Sequence, residues 1–457
     1  MREPDLIDLA RRLIETPSVT TDGTRALAER LGREVLGATD LSWRLDPGDN
    51  PEQVNLIAVK GLGPTPPILL NSHLDTVPPG DARLWTACEG DPFRPALRDG
   101  DLYGLGAADA KLDWLCKALA LRRWNGRRFS RGVIFVGTFG EESGLRGARA
   151  LLARLPQHPT AAWVGEPTEL RPVTRHKGLL VVRVTACATQ ASADGPKPAT
   201  RIIVLGRAAH SSTPDHGENA ILGALDLARR LGLHILAARG GDAVNKVPAR
   251  CEIDVATRAS MSAQPFETVV VPGPAAPLAE SLVHFLFDLA SAQQRILALA
   301  DVVDQSFSPP GLTSNFGRLS AEGRRVEAML DFRCLPGVPS RLIVEALERF
   351  ADEQRRRHPL EIRIDVERDN PPLHTPEDAA VVRASLTALA ALGRPLDLGT
   401  KAGCTEAGVY AAAGIPSVVF GPGRAPGNIH APNEHVPVAE LEEAIEFYDT
   451  IVAEHCR

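Results

Sequence analysis

Cysteine is scarce in this chain, and no cysteine motif is present. The seven cysteines are scattered, odd in number and form no C-x-x-C pair. They therefore predict neither a disulfide framework nor a thiolate metal cluster, and they are typical of reduced thiols in a cytoplasm. The chain also lacks an apolar run of the roughly 20 residues that a membrane span needs, and its first residues show no signal-peptide core. We therefore expect a cytoplasmic protein with no membrane partner.

An excess of positive charge is also missing. The sequence has 51 Lys and Arg against 57 Asp and Glu, a formal net charge of −6. This balance argues against nucleic acid as a partner. The remaining composition is 44% hydrophobic and 24% charged, which is ordinary for a globular protein. A chain of 457 residues is long enough for two domains with their own cores.

Side chains that can bind metal follow four short apolar segments. P-P-I-L-L leads to His73 and Asp75, G-V-I-F-V-G-T-F to Glu141 and Glu142, A-A-W-V to Glu166, and I-P-S-V-V-F to a Gly/Pro-rich loop that reaches His430. Ligands of open α/β sheets lie just beyond the carboxyl ends of the strands. The sequence therefore predicts that these side chains meet in one metal site.

The charges of the candidate ligands favour two metal ions. Asp109, in L-Y-G-L-G-A-A-D-A-K, is a fifth candidate ligand, and with Glu142 and Glu166 it brings three negative charges. Two divalent ions and one hydroxide balance that charge when the imidazole ligands are neutral. Nitrogen and oxygen ligands without thiolate suit zinc, with cobalt or manganese as alternatives. His435, in N-E-H-V-P, is the alternative to His430, and we favour His430.

Two acidic residues beside the ligands are predicted to act without binding metal. Asp75 follows His73 by two residues and is better placed to orient that imidazole than to bind metal, because a metal-bound histidine usually donates its other N–H to a carboxylate or a carbonyl. Glu141 directly precedes the ligand Glu142, and adjacent strand residues point in opposite directions. We therefore expect Glu141 to face the attacking water and to act as its general base.

The distribution of ligands predicts that one domain is inserted into another. The candidate ligands lie between positions 73 and 166 and then only at 430, and the sequence pattern changes after His176-Lys177-Gly178. The first part alternates helical and strand patterns and starts with an amphipathic helix over Leu6–Ile14. We predict an α/β/α catalytic domain with a mixed sheet, residues 1–177 and 369–457, and an inserted α+β domain, residues 178–368.

The order of motifs along nearly the whole chain resembles the di-zinc aminoacylase and carboxypeptidase family. H-L-D-T-V-P, G-x-G-x-x-D-x-K, the E-E pair, G-E-P-T and the late I-H-A-P-N-E-H occur in the family's order. G-E-P-T-E-L-R-P-V-T-R-H-K-G and G-C-T-E-A-G resemble segments of its acetylornithine deacetylases. The resemblance implies that Asp109 bridges two metals, one of which also takes His73 and Glu166, while the other takes Glu142 and His430.

The resemblance also implies the reaction. The expected activity is hydrolysis of the amide of an N-acyl amino acid with a free α-carboxylate, with N-acetylornithine or a similar acetylated amino acid first. A dipeptidase or carboxypeptidase of the same family is the near alternative. A metal-binding or assembly protein without turnover is the alternative of a different class, and the intact set of ligands and base argues against it.

The inserted domain is expected to supply further residues. In the family it is a βαββαβ lid that makes a homodimer, and His210, in G-R-A-A-H-S-S-T-P, matches a histidine that donates to the developing oxyanion across the dimer. Arg333, in D-F-R-C-L-P-G, is favoured over Arg258, in A-T-R, for gripping a substrate carboxylate. Asn245, in a lid loop, and Thr405, in the C-T-E-A loop, are further candidate substrate contacts.

The lid is longer than the family pattern requires. Its excess lies mainly between Ser260 and Pro310, where a Pro-rich run precedes a predicted helix. Extra lid structure could take the place of a partner's surface, so a self-sufficient monomer is the alternative to the homodimer.

Overall fold

The computed structural model describes residues 6–190, 199–256, 267–271, 274, 276–299 and 302–457. Its α-helices are α1 (Leu6–Ile14), α2 (Arg25–Glu34), α3 (Lys111–Arg122), α4 (Arg146–Leu152), α5 (Ala220–Arg230), α6 (Glu280–Leu297), α7 (Ser340–Arg357), α8 (Ala380–Ala391), α9 (Glu406–Ala412) and α10 (Val438–Cys456). None of these described helices is long and apolar enough to cross a membrane. The helix predicted at the start of the chain is confirmed as α1, with Leu9, Ala10, Leu13 and Ile14 buried.

The strands alternate with these helices along the chain. They are β1 (Ser42–Pro47), β2 (Val54–Lys60), β3 (Ile68–His73), β4 (Ala96–Arg98), β5 (Asp101–Tyr103), β6 (Val133–Thr138), β7 (Ala162–Gly165), β8 (Val173–His176), β9 (Gly178–Ala188), β10 (Ala199–Leu205), β11 (Ile235–Gly240), β12 (Arg250–Ala256), β13 (Glu267–Val271), β14 (Thr313–Glu322), β15 (Arg325–Cys334), β16 (Leu360–Asn370), β17 (Leu373–His374), β18 (Gly399–Lys401), β19 (Ser417–Val419) and β20 (His435–Pro437).

The chain divides into two compact units, one inserted into the other. Unit 1 combines Met1–His176 with Leu373–Arg457, and unit 2 is Lys177–Pro372. The insert thus begins one residue before the predicted start at 178 and ends four residues after the predicted end at 368. Its end is later because β16 continues its pairing with β9 as far as Asn370.

Unit 1 is built on a mixed sheet in the order β1-β2-β6-β3-β7-β19-β8-β17, with β18 paired to β8. The neighbours β6, β3, β7 and β19 run parallel, whereas β1 and β2 are antiparallel additions at the edge. Parallel strands end at the same edge of a sheet. This topology therefore brings the ends of all four ligand-bearing apolar segments together.

The two faces of this sheet bury alternate side chains. Leu70 and Phe135 belong to a core that includes residues of α1, α2, α3, α8 and α10. Leu69 and Ile134, their neighbours in sequence, belong to a second core with α4 and α9. This alternation follows from the period of two in a β-strand, and it confirms the predicted α/β/α arrangement.

A buried ion pair fixes the carboxyl end of β3. Asp113 of α3 accepts hydrogen bonds from Ser72 Oγ at 2.6 Å, Lys117 Nζ at 2.5 Å and Tyr448 Oη at 2.6 Å. Lys117 Nζ also donates to the Asn71 carbonyl at 2.7 Å. Buried charges need such complete pairing. The pair therefore ties α3 and α10 to the strand residues that directly precede the ligand histidine.

Unit 2 is a separate α+β layer structure. Its sheet has the order β13-β10-β12-β11-β14-β15-β9-β16, and all described pairings are antiparallel. The helices α5, α6 and α7 pack into one apolar core with the strands. Strand β13 and helix α6 lie within the stretch predicted to be in excess of the βαββαβ pattern. The α+β class of the insert is confirmed, with this additional strand and helix.

Candidate metal centre

Side chains from the strand ends of unit 1 form two neighbouring groups with the composition of metal sites. One group is His73, Glu141 and Glu166, and the other is Asp109, Glu142 and His430; within each, the ligand atoms lie within 4.8 Å of one another. Asp109 connects the groups, because its Oδ1 lies 3.0 Å from His73 Nε2 and its Oδ2 lies 3.2 Å from His430 Nε2. The structure thus brings together the five predicted ligands and the predicted base.

Asp75 contacts the His73 imidazole as predicted, and the contact is made by its main chain. His73 Nδ1 is hydrogen-bonded at 2.9 Å to the main-chain carbonyl of Asp75, whereas the carboxylate Oδ1 lies 3.8 Å away. The carboxylate instead accepts hydrogen bonds from the backbone N–H groups of Glu141, at 3.0 Å, and Glu142, at 3.3 Å. Asp75 therefore orients the imidazole through its carbonyl and fixes the E-E segment through its side chain.

Glu141 lies beside the candidate ligands as expected, but it is not on a strand, so the predicted strand alternation is wrong for this residue. Strand β6 ends at Thr138, and the E-E pair lies in a turn in which Leu145 N donates to the Glu141 carbonyl at 3.1 Å. Because residues in a turn do not alternate, the side chains of Glu141 and Glu142 both face the centre. Glu141 lies beside His73 and Glu166, whereas Glu142 lies beside Asp109 and His430.

The electrostatics of the centre favour cations. Burial alone would raise the pKa of the Asp109 carboxyl, but the imidazoles of His430 and His73 hold it well below its ordinary value. Burial also opposes a charge on His430, yet Asp109 and Glu142 raise its pKa to about 11. Burial, followed by the carboxylates of Glu166 and Glu142, raises the pKa of Glu141 well above its ordinary value. Carboxylates thus crowd a space in which positive charge is stabilised.

Of the two alternative histidines in the late loop, the structure places His430 among the carboxylates. His430 Nε2 lies 3.0 Å from Glu142 Oε1. His435 instead begins β20, its ring stacks on Tyr103 with centroids 4.8 Å apart, and its Nδ1 contacts the Asn433 carbonyl at 3.0 Å. These contacts favour His430 as the ligand and give His435 a packing role.

Glu434 is a residue of the centre that sequence reasoning did not single out. Its buried carboxylate accepts from the backbone N–H groups of Ala108, at 2.9 Å, Asp109, at 3.0 Å, and Gly106, at 3.2 Å. Burial, together with the carboxylate of Asp109, raises the pKa of Glu434 to about 7. This carboxylate fixes the backbone of the loop that carries Asp109. The sequence offered one indication of Glu434, its place next to His435 in the late motif.

Lys401 is the second residue that the sequence did not reveal. It ends β18, and its Nζ lies 2.5 Å from Glu166 Oε2. Burial disfavours its charge, but the carboxylates of Glu166, Asp109 and Glu141 outweigh that effect and raise its pKa. The segment G-T-K-A-G matches no motif that would predict a role for this lysine. A positive side chain therefore reaches the anionic centre only because β18 pairs with β8.

Thr405 caps a helix in this structure. Its hydroxyl accepts a hydrogen bond from Ala407 N at 3.2 Å at the start of α9, and the residue is buried. The next residue, Glu406, accepts from Asn71 at 2.5 Å and from Thr138 at 2.7 Å, and burial raises its pKa to about 7. A Thr before an apolar helix is a typical N-cap. A substrate contact by Thr405 stays a prediction.

Unit 2 gathers three of the predicted lid residues around Ser211. Ser211 N donates to the Asn245 carbonyl at 3.0 Å, and the neighbouring His210 contacts Ser212 Oγ through Nδ1 at 2.7 Å. Arg333 is buried, donates to Ser211 Oγ at 2.8 Å and grips Asp331 with two hydrogen bonds of 2.9 and 3.0 Å. Much of its guanidinium is thus already engaged. The alternative, Arg258, lies outside the described residues.

Comparisons with known proteins agree with this geometry. The family model for peptidase family M20/M25/M40 matches residues 69–454. Acetylornithine deacetylase of Photorhabdus laumondii is 32% identical over 286 residues, covering 56% of this chain and 67% of the relative. The Klebsiella pneumoniae acetylornithine deacetylase is 31% identical over 287 residues, covering 56% and 68%.

Solved structures share the fold over nearly the whole chain. An aminoacylhistidine dipeptidase from Vibrio alginolyticus matches with a TM-score of 0.67 at 17% identity, covering 98% of this chain and 96% of its own. A tripeptidase from Staphylococcus aureus matches with a TM-score of 0.60 at 18% identity, covering 98% and 97%. At these identities the likeness concerns the fold alone.

Proposed function

Because the chain belongs to the peptidase family M20/M25/M40, we propose that it hydrolyses the amide bond of an N-acyl amino acid with the help of two divalent metal ions. Zinc is the first candidate, with cobalt or manganese as alternatives. The observation that carries the proposal is the pair of ligand groups that share Asp109.

The spacing of the ligand atoms supports two ions. Two atoms that each lie about 2.0–2.1 Å from one tetrahedral zinc are about 3.3 Å apart. His73 Nε2 and Asp109 Oδ1 are 3.0 Å apart, and His430 Nε2 is 3.2 Å from Asp109 Oδ2. The two oxygens of Asp109 thus face different imidazoles. Asp109 would hold both ions, His73 and Glu166 would hold one of them, and Glu142 and His430 would hold the other.

The chemistry follows from the residues around this centre. Bound divalent ions supply a Lewis acid and lower the pKa of water toward neutrality. Glu141, held by its backbone N–H on Asp75, takes a proton from the attacking water and returns it to the leaving amine.

Unit 2 completes the proposal with residues for the oxyanion and the substrate. His210 donates a hydrogen bond to the developing oxyanion, from its own chain or from the partner of a homodimer. Arg333, or Arg258 in its place, binds the substrate carboxylate, and Asn245 and Thr405 add polar contacts. The protein works in the cytoplasm on small molecules, without nucleic acid or membrane.

The names of the relatives define the substrates to test. Two relatives are acetylornithine deacetylases, whereas the structural neighbours include a dipeptidase and a tripeptidase. We propose N-acetylornithine or a similar N-acetyl amino acid as the substrate, with a dipeptide as the second candidate.

A substrate panel tests this choice. Zinc- or cobalt-loaded protein is mixed with N-acetylornithine, other N-acetyl amino acids, N-succinyl amino acids and dipeptides, and the released amine is measured. We expect the largest kcat/KM among the N-acetyl amino acids. A larger value for dipeptides would assign the chain to the peptidase branch, and no turnover by metal-loaded protein would favour an inactive metal-binding protein.

Replacing His210 with Ala is expected to lower kcat by about 10²–10³-fold without loss of bound metal, because an oxyanion donor acts mainly in the transition state. His216→Ala, at an exposed histidine of the same segment, is the control and should change kcat little. Mixing His210→Ala protein with Glu141→Gln protein tests whether the His210 donor comes from the same chain or from the partner chain of a homodimer. Restored activity indicates a donor from the partner chain, whereas no rescue despite subunit exchange indicates a donor from the same chain.

A further inference from the structure

The side chain of Lys401 lies against a predicted metal ligand. Its Nζ contacts Glu166 Oε2 at 2.5 Å, and the two side chains are only 20% and 6% exposed. A buried lysine beside carboxylates is expensive unless its charge is needed. Strand pairing fixes its place, since Lys401 is in register with His176 in the parallel β18–β8 pair.

The charge of Lys401 changes the balance of the centre. The ligand carboxylates are Asp109, Glu142 and Glu166, and Glu141 adds a fourth negative charge close to them. Lys401 supplies one positive charge that offsets the fourth carboxylate. The three ligand carboxylates, an ionised Glu141 and a hydroxide carry five negative charges, which two divalent ions and Lys401 would balance.

The contact also divides the two oxygens of Glu166. Oε2 accepts a hydrogen bond from the ammonium, so Oε1 is the oxygen that a cation can approach without competing with Lys401. A charge-assisted hydrogen bond withdraws electron density from a carboxylate, and a positive charge nearby repels a divalent ion. Both effects weaken the hold of this ligand on a cation and leave the cation a stronger Lewis acid.

We propose that Lys401 is a positioning residue of the metal centre. Lys401 holds Glu166 so that one of its oxygens binds the cation, and its charge lowers the affinity for the cation while making the bound cation a stronger Lewis acid. The inference rests on the proposed metal-dependent function. Lys401 also lines a cavity of about 460 Å³ with Pro167, Thr168 and Arg171. Binding of a substrate carboxylate from that cavity is the competing role, and the kinetic experiment below separates the two.

Metal binding by variants of the full chain tests the proposal. Wild type, Lys401→Met, Lys401→Gln and Lys401→Arg are stripped of metal and titrated with zinc or cobalt against a chromophoric chelator. We expect Lys401→Met and Lys401→Gln to bind at least one ion about tenfold more tightly, because the repelling charge is gone. Lys401→Arg keeps the charge and should bind as the wild type does. The Gln variant keeps a donor for Glu166, so it separates the charge from the hydrogen bond.

Kinetics on the same proteins separate positioning from substrate binding. With both sites filled, kcat of Lys401→Met should fall about tenfold or more, with KM little changed. The control is Lys60→Met, which removes a similar ion pair of the same unit, Lys60 with Asp40 at 2.7 Å, and should leave both metal affinities unchanged. Thermal unfolding of each metal-free variant checks that it is folded.

The outcomes separate this inference from the proposed function. Equal or weaker metal binding by folded Lys401→Met and Lys401→Gln would overturn the positioning role. A rise in KM alone, with kcat and metal affinity unchanged, would also overturn it and assign Lys401 to the substrate. Failure of the wild type to bind two ions would instead contradict the proposed metal-dependent function.

Discussion

Replacing Glu141 with Gln is expected to lower kcat by about 10²–10⁴-fold while the protein keeps its bound metal. The amide has nearly the same shape as the carboxyl group but cannot accept a proton from water. The backbone N–H of residue 141 still donates to Asp75 in the variant, because that contact does not use the side chain. The turn that carries the ligand Glu142 should therefore stay in place.

The metal content of the variant distinguishes a general base from a metal ligand. This control is needed because Glu141 lies in one group with His73 and Glu166. Metal per chain is measured together with kcat for Glu141→Gln and Glu142→Gln. We expect normal metal in the first and reduced metal in the second. Glu442→Gln, at an exposed glutamate, is the control for the substitution as such. Metal loss that parallels the activity loss in Glu141→Gln would make Glu141 a ligand.

Removing metal with a chelator is expected to reduce activity to the background rate, and zinc or cobalt should restore it. The four carboxylates of the centre then face one another with less neutralising charge, so the metal-free protein should also unfold at a lower temperature. Assays before stripping, after stripping and after addition of each metal provide the measurement. Full activity in protein shown to be free of metal would contradict the proposed function.

Histidine variants locate the second ion. His430→Ala should lower the metal content and reduce activity about 100-fold or more, because His430 lies 3.2 Å from Asp109 and 3.0 Å from Glu142. His435→Ala is the matched control from the same loop, and it removes the stacking on Tyr103 and the contact with the Asn433 carbonyl, neither of which involves the carboxylates of the centre. Normal metal in His430→Ala with metal loss in His435→Ala would move the ligand five residues along the loop.

The positions of most candidate ligands were predictable because these residues follow buried strands. His73, Glu141 and Glu166 come at or just after the ends of β3, β6 and β7, which are adjacent parallel strands. A short apolar run identifies such a strand from local sequence, and the parallel arrangement then fixes where its end lies. Local patterns also predicted α1 and the insertion of one unit into the other.

Local patterns failed where the chain leaves regular structure. Alternation along a strand does not extend to the turn after Thr138, so it gave a wrong reason for the orientation of Glu141. The Asp75 side chain bonds to the backbone of a segment 66 residues away, and its main-chain carbonyl contacts the His73 imidazole. The spacing of two residues between His73 and Asp75 fits either contact, so the sequence could not distinguish them.

The sequence by itself determined the fold class, the inserted domain and the set of side chains available to bind metal, because hydrophobic periodicity and strand ends are local properties. The tertiary structure decided which of these side chains share a space. It placed His430 beside Glu142 and His435 beside Tyr103, bonded the Glu434 carboxylate to the backbone of the Asp109 loop and brought Lys401 to Glu166. Each of these choices depends on contacts between segments far apart in the chain, and the local pattern of residues does not encode which distant segments become neighbours.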